Sequence, residues 1–329
     1  MPRDSFGREI DYLRISLTDH CNLRCVYCMP MHGLQFVPPE HLLTAAEIET
    51  VGRAALAAGF RRFRLTGGEP TLRADVVEIT ERLAALGPDE VAMTTNGVLL
   101  PRLARPLAAA GLRRVNIHVD TLDPVRLPQV MRLGTLADVE AGLEAAVEAG
   151  LVPLKINCVV VRGFNDGDDA VVLAQRARER GWHVRFIEAM PLGTGETAEL
   201  SRTRLVPSRE TRRRLEEALG PLVPLEGGHP SDESRNFRFA DGAGVVGFIS
   251  PVSEPYCGTC NRMRLTADGK FHLCLLRDDE RDVRGLLRSG GSVADVERIL
   301  RRAVAAKPMG HQLLAGLSTE SREMFQIGG

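Results

Sequence analysis

The sequence predicts an α/β fold, namely an incomplete (β/α)6, TIM-like barrel followed by a C-terminal α+β extension. Two observations support this prediction. Between residues 10 and 190, six strand-length apolar runs alternate with amphipathic helices, which is typical of a parallel sheet covered by helices. Polar residues also recur on one face of these strands, whereas a doubly wound sheet is apolar on both faces. Six units are fewer than the eight of a complete barrel, so we expect an opening on one side.

The elements of the barrel follow one another in regular order. The first helix has the clearest ends, because Thr44 and Glu47 match a capping box and Gly59 follows its last turn. Strands are expected at residues 10–17, 61–66, 90–94, 114–119, 152–161 and 183–190. Helices are expected at residues 44–58, 73–86, 101–110, 135–149 and 166–180.

The faces of the strands can be assigned because side chains alternate across a strand. The polar face is expected to carry these residues: Arg14, Ser16, Arg64, Thr66, Asn116, His118, Asp120, Lys155 and Asn157. A polar inner face fits a barrel that holds a ligand in its lumen. Cys158 falls on the opposite face, so we interpret it as a core residue and not a ligand.

Composition narrows the range of functions. The 329 residues have a net charge of −1, which gives no reason to expect nucleic acid or an anionic membrane as a partner. No apolar run approaches the roughly 20 residues that span a bilayer, so we expect a cytoplasmic protein. Seven cysteines in such a chain point to reduced thiols and not to a disulfide framework.

We divide the chain into three parts. Residues 1–190 form the partial barrel, 191–235 a Gly-, Pro- and Arg-rich connecting region with one helix near 208–219, and 236–329 a C-terminal region. In the last part, strands are expected at 236–239 and 245–249, and helices near 282–289 and 292–306. The tail, 323–329, looks mobile and ends in two glycines.

Three cysteines follow the first strand within eight residues: Cys21, Cys25 and Cys28. Three thiolates on a short loop can hold three irons of a four-iron cluster and leave the fourth iron open to a small molecule. Zinc is an alternative, although His20 and His32 do not complete a familiar pair of ligand pairs. Three buried apolar thiols are the other alternative.

A second group of three cysteines, Cys257, Cys260 and Cys274, is also one ligand short of a complete site. A zinc site with His272 as fourth ligand remains an alternative. Arg262 and Arg264 share one face of an extended strand beside Cys260. Such a pair suits a polyphosphate, because guanidinium groups form bidentate charged hydrogen bonds, but two solvated surface arginines would look the same.

The Cys-x3-Cys-x2-Cys spacing, with Tyr27 before the third cysteine, resembles the cluster loop of radical S-adenosylmethionine (SAM) enzymes. The segments 66–70, 94–97 and 120–124, the second cysteine group with its Arg-x-Arg, and the terminal glycines extend the resemblance over essentially the whole chain. Together they resemble MoaA, the family of GTP 3′,8-cyclases of molybdenum-cofactor biosynthesis. The C-terminal half distinguishes this family from other radical SAM enzymes, since very many of those enzymes share the first motif.

The resemblance implies that the protein is a cyclase, which belongs to the lyases. Its cofactors would be two 4Fe-4S clusters and SAM. A 5′-deoxyadenosyl radical would abstract hydrogen from C3′ of GTP, and the C3′ radical would attack C8 to give 3′,8-cyclo-7,8-dihydro-GTP. A downstream cyclic pyranopterin monophosphate synthase would use this product. A reducing electron donor and a homodimer are also implied.

The resemblance also assigns roles to residues. Cys21, Cys25 and Cys28 would hold the SAM cluster, and Cys257, Cys260 and Cys274 the cluster that binds guanine. SAM would lie against Tyr27, Gly68, His118 and Met190. GTP would contact Arg14, Arg64, Thr94, Lys155, Arg185, Arg262 and Arg264, of which Arg14, Arg262 and Arg264 would be catalytic. The glycine tail would insert toward the active site; otherwise it is a frayed end.

One position departs from the family pattern. His118 stands where the family has a serine that is expected to bind SAM. Histidine can also donate or accept a hydrogen bond, so we keep it in the SAM site, with binding that depends on pH. Two other functions remain open: a radical SAM peptide maturase with an auxiliary cluster, and a non-catalytic zinc-binding or redox-sensing protein.

Overall fold

The computed structural model describes residues 1–242, 244–313 and 319–328. The first half contains the six predicted strand-helix units. Strands β1 to β6 are Tyr12–Ser16, Arg62–Thr66, Glu90–Thr95, Arg114–His118, Lys155–Val160 and His183–Glu188. Helices α1 to α6 are Ala45–Ala58, Val76–Ala85, Leu100–Ala109, Leu127–Val130, Leu136–Glu148 and Asp168–Arg180. Only the short α4 was not predicted, because its one turn gives no periodic pattern.

The ends of α1 confirm the capping prediction. Thr44 accepts a hydrogen bond from the backbone of Glu47, whose side chain bonds back to the backbone of Thr44. The helix ends at Gly59, which adopts a left-handed conformation with φ of 102°. That conformation disfavours residues with a Cβ, so the glycine sets where the chain turns into β2.

The second half of the chain contains more elements than predicted. The prediction of one helix in the connecting region was incomplete, since α7 (Glu196–Thr203) precedes α8 (Ser208–Leu219). Strands β7 to β12 are Leu222–Pro224, Arg235–Phe239, Val245–Ile249, Arg262–Leu265, Lys270–His272 and Glu280–Asp282. Helices α9 to α11 are Arg284–Arg288, Val293–Ala305 and Met324–Ile327.

The twelve strands of the described residues belong to one sheet, in the order β12-β11-β10-β1-β2-β3-β4-β5-β6-β9-β8-β7. The C-terminal region adds strands to both edges of the predicted barrel. Strand β10 pairs in parallel with β1, and β9 pairs in parallel with β6. The parallel part therefore has eight strands. In the register of β1 with its two neighbours, Arg14 lies beside both Arg64 and Arg264, which brings arginines from distant parts of the sequence to one place.

The two faces of the sheet differ as predicted. The helix-facing side carries apolar residues from every central strand, such as Leu13, Phe63, Ile117 and Ile156, all fully buried. Cys158 is also fully buried in this core, as expected. Among the described residues, no helix is long and apolar enough to cross a membrane.

The tail departs from the expectation of a mobile end. Residues 324–327 form the helical turn α11, in which Phe325 and Ile327 are 3% and 1% exposed. The ring of Phe325 packs edge-on against Phe36. A Cβ on Gly328 would lie 2.5 Å from Oγ1 of Thr66, so this glycine sits against the polar face of β2. Gly329, the last residue of the predicted tail, lies outside the described residues.

Candidate functional site

Three adjoining cavities cover the polar face of the sheet. The N-terminal cysteine cavity, about 970 Å³, surrounds Cys21, Cys25 and Cys28. The C-terminal cysteine cavity, about 860 Å³, surrounds Cys257, Cys260 and Cys274. The cationic cavity, about 590 Å³, is lined by basic side chains. Thr94, Asn157 and Met190 line both cysteine cavities, while Glu233 and Arg262 line both the C-terminal cysteine cavity and the cationic cavity. The three form one lumen.

The loop that carries the first three cysteines is held by residues from the next two strands. The side chain of Asn96 donates to Oδ1 of Asn22 at 2.7 Å, between Cys21 and Cys25. Glu69 in turn accepts from the backbone N–H of Asn96 at 2.6 Å. A Cβ on Gly68 would lie 2.5 Å from the carbonyl oxygen of His20, so the absence of a side chain at Gly68 allows this loop to approach.

His118 lies beside this loop at the end of β4. Its Nε2 is 2.8 Å from the hydroxyl of Tyr27 and 2.9 Å from Oδ2 of Asp120. The same Nε2 is 3.7 Å from Sγ of Cys25. Burial lowers the pKa of His118, but the carboxylate of Asp120 outweighs burial and raises the pKa well above its usual value. The imidazole is therefore fixed in position between the cysteine loop and a buried carboxylate.

The residues of this cavity fit an iron-sulfur cluster with an attached small molecule. All three thiols are free and line the cavity, and three thiolates suit iron in such clusters. Buried polar atoms without a partner, Oγ1 of Thr66 and Oδ1 of Asn157, face the same space and are available to a ligand. His20 instead stacks on Phe36 and does not line the cavity.

A smaller metal site would have to use one of the same cysteines. The ligand atoms of Cys25, His118 and Asp120 lie within 4.8 Å of one another. Sequence spacing could not have shown this set, because Cys25 lies 93 residues before His118 in the chain. A single ion there would compete with a cluster for Cys25, so the two arrangements exclude each other.

The second cysteine group lies at the start of β10 and at the end of β11. Cys257 begins a short 3-10 turn, Cys257–Thr259, Cys260 follows it just before β10, and Cys274 follows β11. His272, the predicted alternative ligand, donates from Nδ1 to the carboxylate of Glu280 at 3.2 Å and does not line the cavity. The arrangement therefore favours three thiolates without histidine.

Two cations that sequence reasoning missed surround this group. Lys307 is 3% exposed and donates to the carbonyl of Leu273 at 2.6 Å. Burial raises the pKa of the Cys260 thiol, but the charges of Arg262 and Lys307 outweigh burial and lower it to about 6. Arg8 donates to the carbonyl of Cys257 at 2.6 Å and so ties the N-terminal segment to the turn.

The cationic cavity gathers the predicted substrate residues. Lys155, Arg185, Arg64 and Arg262 line it, while Arg14 and Arg264 line the adjoining C-terminal cysteine cavity. The register of the central strands, and not the order of the chain, brings them together. Thr94, also predicted, accepts from Nη1 of Arg64 at 3.4 Å.

Crowding of positive charge shifts the pKa values of these groups. Burial together with Arg185, Arg114 and Arg64 lowers the pKa of Lys155 to about 8. Burial together with Arg14 and Arg262 lowers the pKa of Arg264 to about 10. Nε and Nη2 of Arg185 and Nε of Arg264 are buried without a hydrogen-bond partner. Unpaired buried cations are costly, so the cavity is suited to a polyanion.

The structure therefore brings every predicted site residue to one lumen. The predicted SAM contacts Tyr27, Gly68, His118 and Met190 all line the N-terminal cysteine cavity. Sequence reasoning missed Glu233, Lys307 and Arg8. Lys307 carried one usable signal, as one of three lysines in the chain, whereas Glu233 lies in a polar loop without a motif.

Family profiles match two parts of the chain. That of the radical SAM superfamily matches residues 15–175, and that of Molybdenum Cofactor Synthesis C matches residues 182–313. Among solved structures, SuiB of Streptococcus suis bound to S-adenosylmethionine is similar, with a TM-score of 0.62 at 14% identity. The superposition covers 88% of this chain and 68% of SuiB. This likeness is one of fold, and it confirms the predicted architecture.

Relatives of known name match over the full length. The GTP 3′,8-cyclase of Moorella thermoacetica is 46% identical, covering 99% of this chain and 100% of the relative. That of Pelotomaculum thermopropionicum is 44% identical with the same coverage. At this identity and coverage, and with both family profiles matched in order, the chain belongs to the GTP 3′,8-cyclase family of radical SAM enzymes.

Proposed function

We propose that this protein converts GTP to 3′,8-cyclo-7,8-dihydro-GTP in molybdenum-cofactor biosynthesis. One observation carries the proposal: a single lumen joins two groups of three free thiols and a cluster of buried cations. A radical enzyme that acts on a nucleoside triphosphate needs its radical site and its phosphate-binding cations in one space. The family named above, whose relatives are called GTP 3′,8-cyclases, supports the choice of nucleotide.

Membership in the radical SAM superfamily implies a 4Fe-4S cluster and SAM. Cys21, Cys25 and Cys28 would hold that cluster, and Cys257, Cys260 and Cys274 would hold the second. When bound, the reduced cluster and SAM supply a 5′-deoxyadenosyl radical that can abstract a hydrogen atom from a substrate. Binding the substrate and excluding water remain the task of the chain's own residues.

We assign the triphosphate to the cationic end of the lumen. Arg185 and Arg264 have buried N–H groups without hydrogen-bond partners. A phosphate oxygen can accept hydrogen bonds from these groups. The ribose would then lie near Thr94, Asn157 and Met190, because these residues line both cysteine cavities. A hydrogen atom can pass between two ligands only where they meet, so this shared wall is the proposed place of reaction.

The tail would help to keep water out. Met324 and Phe325 line the N-terminal cysteine cavity, and Phe325 is almost fully buried. A reactive radical is protected from side reactions in a closed, dry site. Arg14, Arg262 and Arg264 are proposed as the catalytic arginines, positioned by the pairing of β1 with β10. An electron donor, a homodimer, the downstream synthase and the cytoplasmic location stay predictions.

The proposal is tested by measuring 5′-deoxyadenosine. Anaerobically reconstituted, reduced protein should form it from SAM when GTP is present, and ATP should not substitute. Equal formation with or without nucleotide would leave the radical site in place but remove the support for GTP, and would favour a peptide substrate. No formation despite a full iron content would favour a non-catalytic metal-binding protein.

The arginine assignment has its own test. R185A is expected to weaken GTP binding by roughly tenfold to a hundredfold, because it removes a charged hydrogen-bond donor. R162A is the matched control, since Arg162 pairs with Glu210 at the surface. If both variants bind GTP like the parent protein, the triphosphate does not lie in the cationic cavity.

A further inference from the structure

An acidic side chain already occupies the place assigned to the triphosphate. The carboxylate of Glu233 lies 2.8 Å from Nη2 of Arg14 and forms an equally direct contact with Nη1 of Arg262. It also lies 3.9 Å from Nη1 of Arg185. All three arginine side chains are nearly buried, with 11% or less exposed. One carboxylate thus contacts three of the proposed substrate cations and balances one of their three charges.

Charge in the lumen remains unbalanced even so. Six of the cations that line the two cavities at this end are proposed substrate contacts: Arg14, Arg64, Lys155, Arg185, Arg262 and Arg264. Among the described residues, Arg64, Lys155 and Arg264 form no ion pair. A triphosphate carries more negative charge than one carboxylate and more oxygens than its two. It therefore offers acceptors to buried donors that Glu233 does not bond, namely Nε and Nη2 of Arg185 and Nε of Arg264.

Glu233 also lies at the boundary between the lumen and the surface. It lines the cationic cavity, the C-terminal cysteine cavity and a more open outer pocket of about 810 Å³. The outer pocket includes Pro230, Asp232 and Tyr256. Moving this one side chain outward would join the outer pocket to the cationic cavity.

The segment that carries Glu233 lies outside the strands of the sheet. Residues 225–234 connect β7 to β8, and most of them are exposed. Its turn is closed by internal bonds, such as the backbone N–H of Asp232 to the carbonyl of His229 at 2.9 Å. Gly227, with φ of 87°, and Gly228 precede the turn, where backbone rotation costs little.

We propose that Glu233 is a built-in occupant of the phosphate site, which holds Arg14, Arg185 and Arg262 until the nucleotide triphosphate displaces it and its loop swings outward. The inference rests on the proposed function, because it takes the cationic cavity as the GTP site. Glu233 sets the affinity for the substrate by competing with it. The arginines stay paired in the free enzyme, which avoids uncompensated buried charge.

The test compares E233Q with E226Q. Glu226 lies on the same loop, is exposed and forms no ion pair among the described residues, so E226Q removes the same charge away from the arginines. The probes are GTP and inorganic tripolyphosphate, with binding to reconstituted protein measured by calorimetry. E233Q is expected to bind both probes about tenfold tighter or more, because at least one charged pair no longer competes. E226Q should match the parent protein.

Two outcomes would overturn the inference. Unchanged affinity of E233Q for both probes would show that Glu233 does not compete with the triphosphate for the arginines. Weaker GTP binding with unchanged tripolyphosphate binding would show that Glu233 recognises guanine. E233D covers the case in which E233Q does not fold: its shorter side chain keeps the charge but should also bind tripolyphosphate more tightly. If the parent protein forms 5′-deoxyadenosine in a GTP-dependent way and E233Q binds the probes no more tightly, only this inference fails. If the parent protein forms 5′-deoxyadenosine without dependence on GTP, the proposed function itself fails.

Discussion

The hydroxyl of Tyr27 lies 2.8 Å from Nε2 of His118, so the residue before the third cysteine is joined to the end of the fourth strand. Asp120 completes the contact, since Tyr27 also donates to its Oδ2 at 2.8 Å. The other oxygen of Asp120 accepts from the backbone N–H of Val159 on β5 at 2.8 Å. The cysteine loop is thereby tied to two strands through one buried carboxylate.

The first prediction concerns this histidine. H118A is expected to weaken SAM binding by about tenfold, because it removes one hydrogen-bonding group from the cavity wall. H118S should bind SAM more tightly than H118A, since it returns the hydroxyl of the family pattern. Equilibrium dialysis of reconstituted protein measures the SAM affinity of both variants. H41A is the control, because His41 is exposed. If H118A binds SAM like the parent protein, His118 does not contact SAM and only holds Tyr27 and Asp120 in position.

The second prediction separates the two cysteine groups. C28A and C257A should each reduce bound iron from about eight to about four per chain, because each removes one thiolate from a four-iron site. C28A should also lose SAM binding, whereas C257A should keep it. The buried core residue Cys158 provides the control C158A, which should retain the full iron content. Full iron in C28A would contradict the assignment of the first group.

The third prediction concerns pH. The pKa of Lys155 is lowered to about 8 by burial and by the charges of Arg185, Arg114 and Arg64. Bound phosphate would raise this pKa, so binding above pH 8 requires the uptake of a proton. GTP affinity should therefore be constant below about pH 8 and fall above it, by at most about tenfold for each pH unit.

K155R tests that sign, because arginine stays protonated throughout this range. Titration of the nucleotide itself is common to both proteins, so only the difference between their pH profiles matters. Calorimetry between pH 7 and pH 9.5 should show a steeper decline for the parent than for K155R. Parallel profiles would mean that Lys155 does not contact the phosphates.

The fourth prediction links helix packing to the site. Gly142 lies inside α5, and a Cβ there would lie 2.3 Å from the carbonyl oxygen of Gly97. G142A should therefore lower the free energy of unfolding by about 1 to 3 kcal/mol, although alanine favours helices. Gly97 follows Asn96, which holds the cysteine loop, so iron loading should fall as well.

Thermal unfolding and iron analysis check this prediction together. E140A is the control, since Glu140 lies two residues away on the same helix and is exposed. It should leave both the unfolding temperature and the iron content nearly unchanged. A G142A protein as stable as E140A would mean that α5 shifts outward at little cost.

Much of the site followed from local regularities of the sequence. Alternation along a strand placed Arg14, Arg64 and Lys155 on one face before any pairing was known, because successive side chains point to opposite sides. The cap formed by Thr44 and Glu47 likewise depends on residues three apart. The spacing of each cysteine triplet is also local, since neighbouring thiols on one loop can share one cluster.

Contacts between distant segments could be known only from the tertiary structure. The pairing of β1 with β10 brings Arg264 beside Arg14, 250 residues away in the sequence, and no pattern in either segment specifies it. The carboxylate of Glu233 reaches these arginines from a loop that reads as an ordinary polar connection. The residues that can do the chemistry are recognisable in the sequence, because secondary structure and loop ligands depend on near neighbours. Their meeting in one lumen depends on the folded sheet, because strand register and long-range electrostatics arise only when the sheet is assembled.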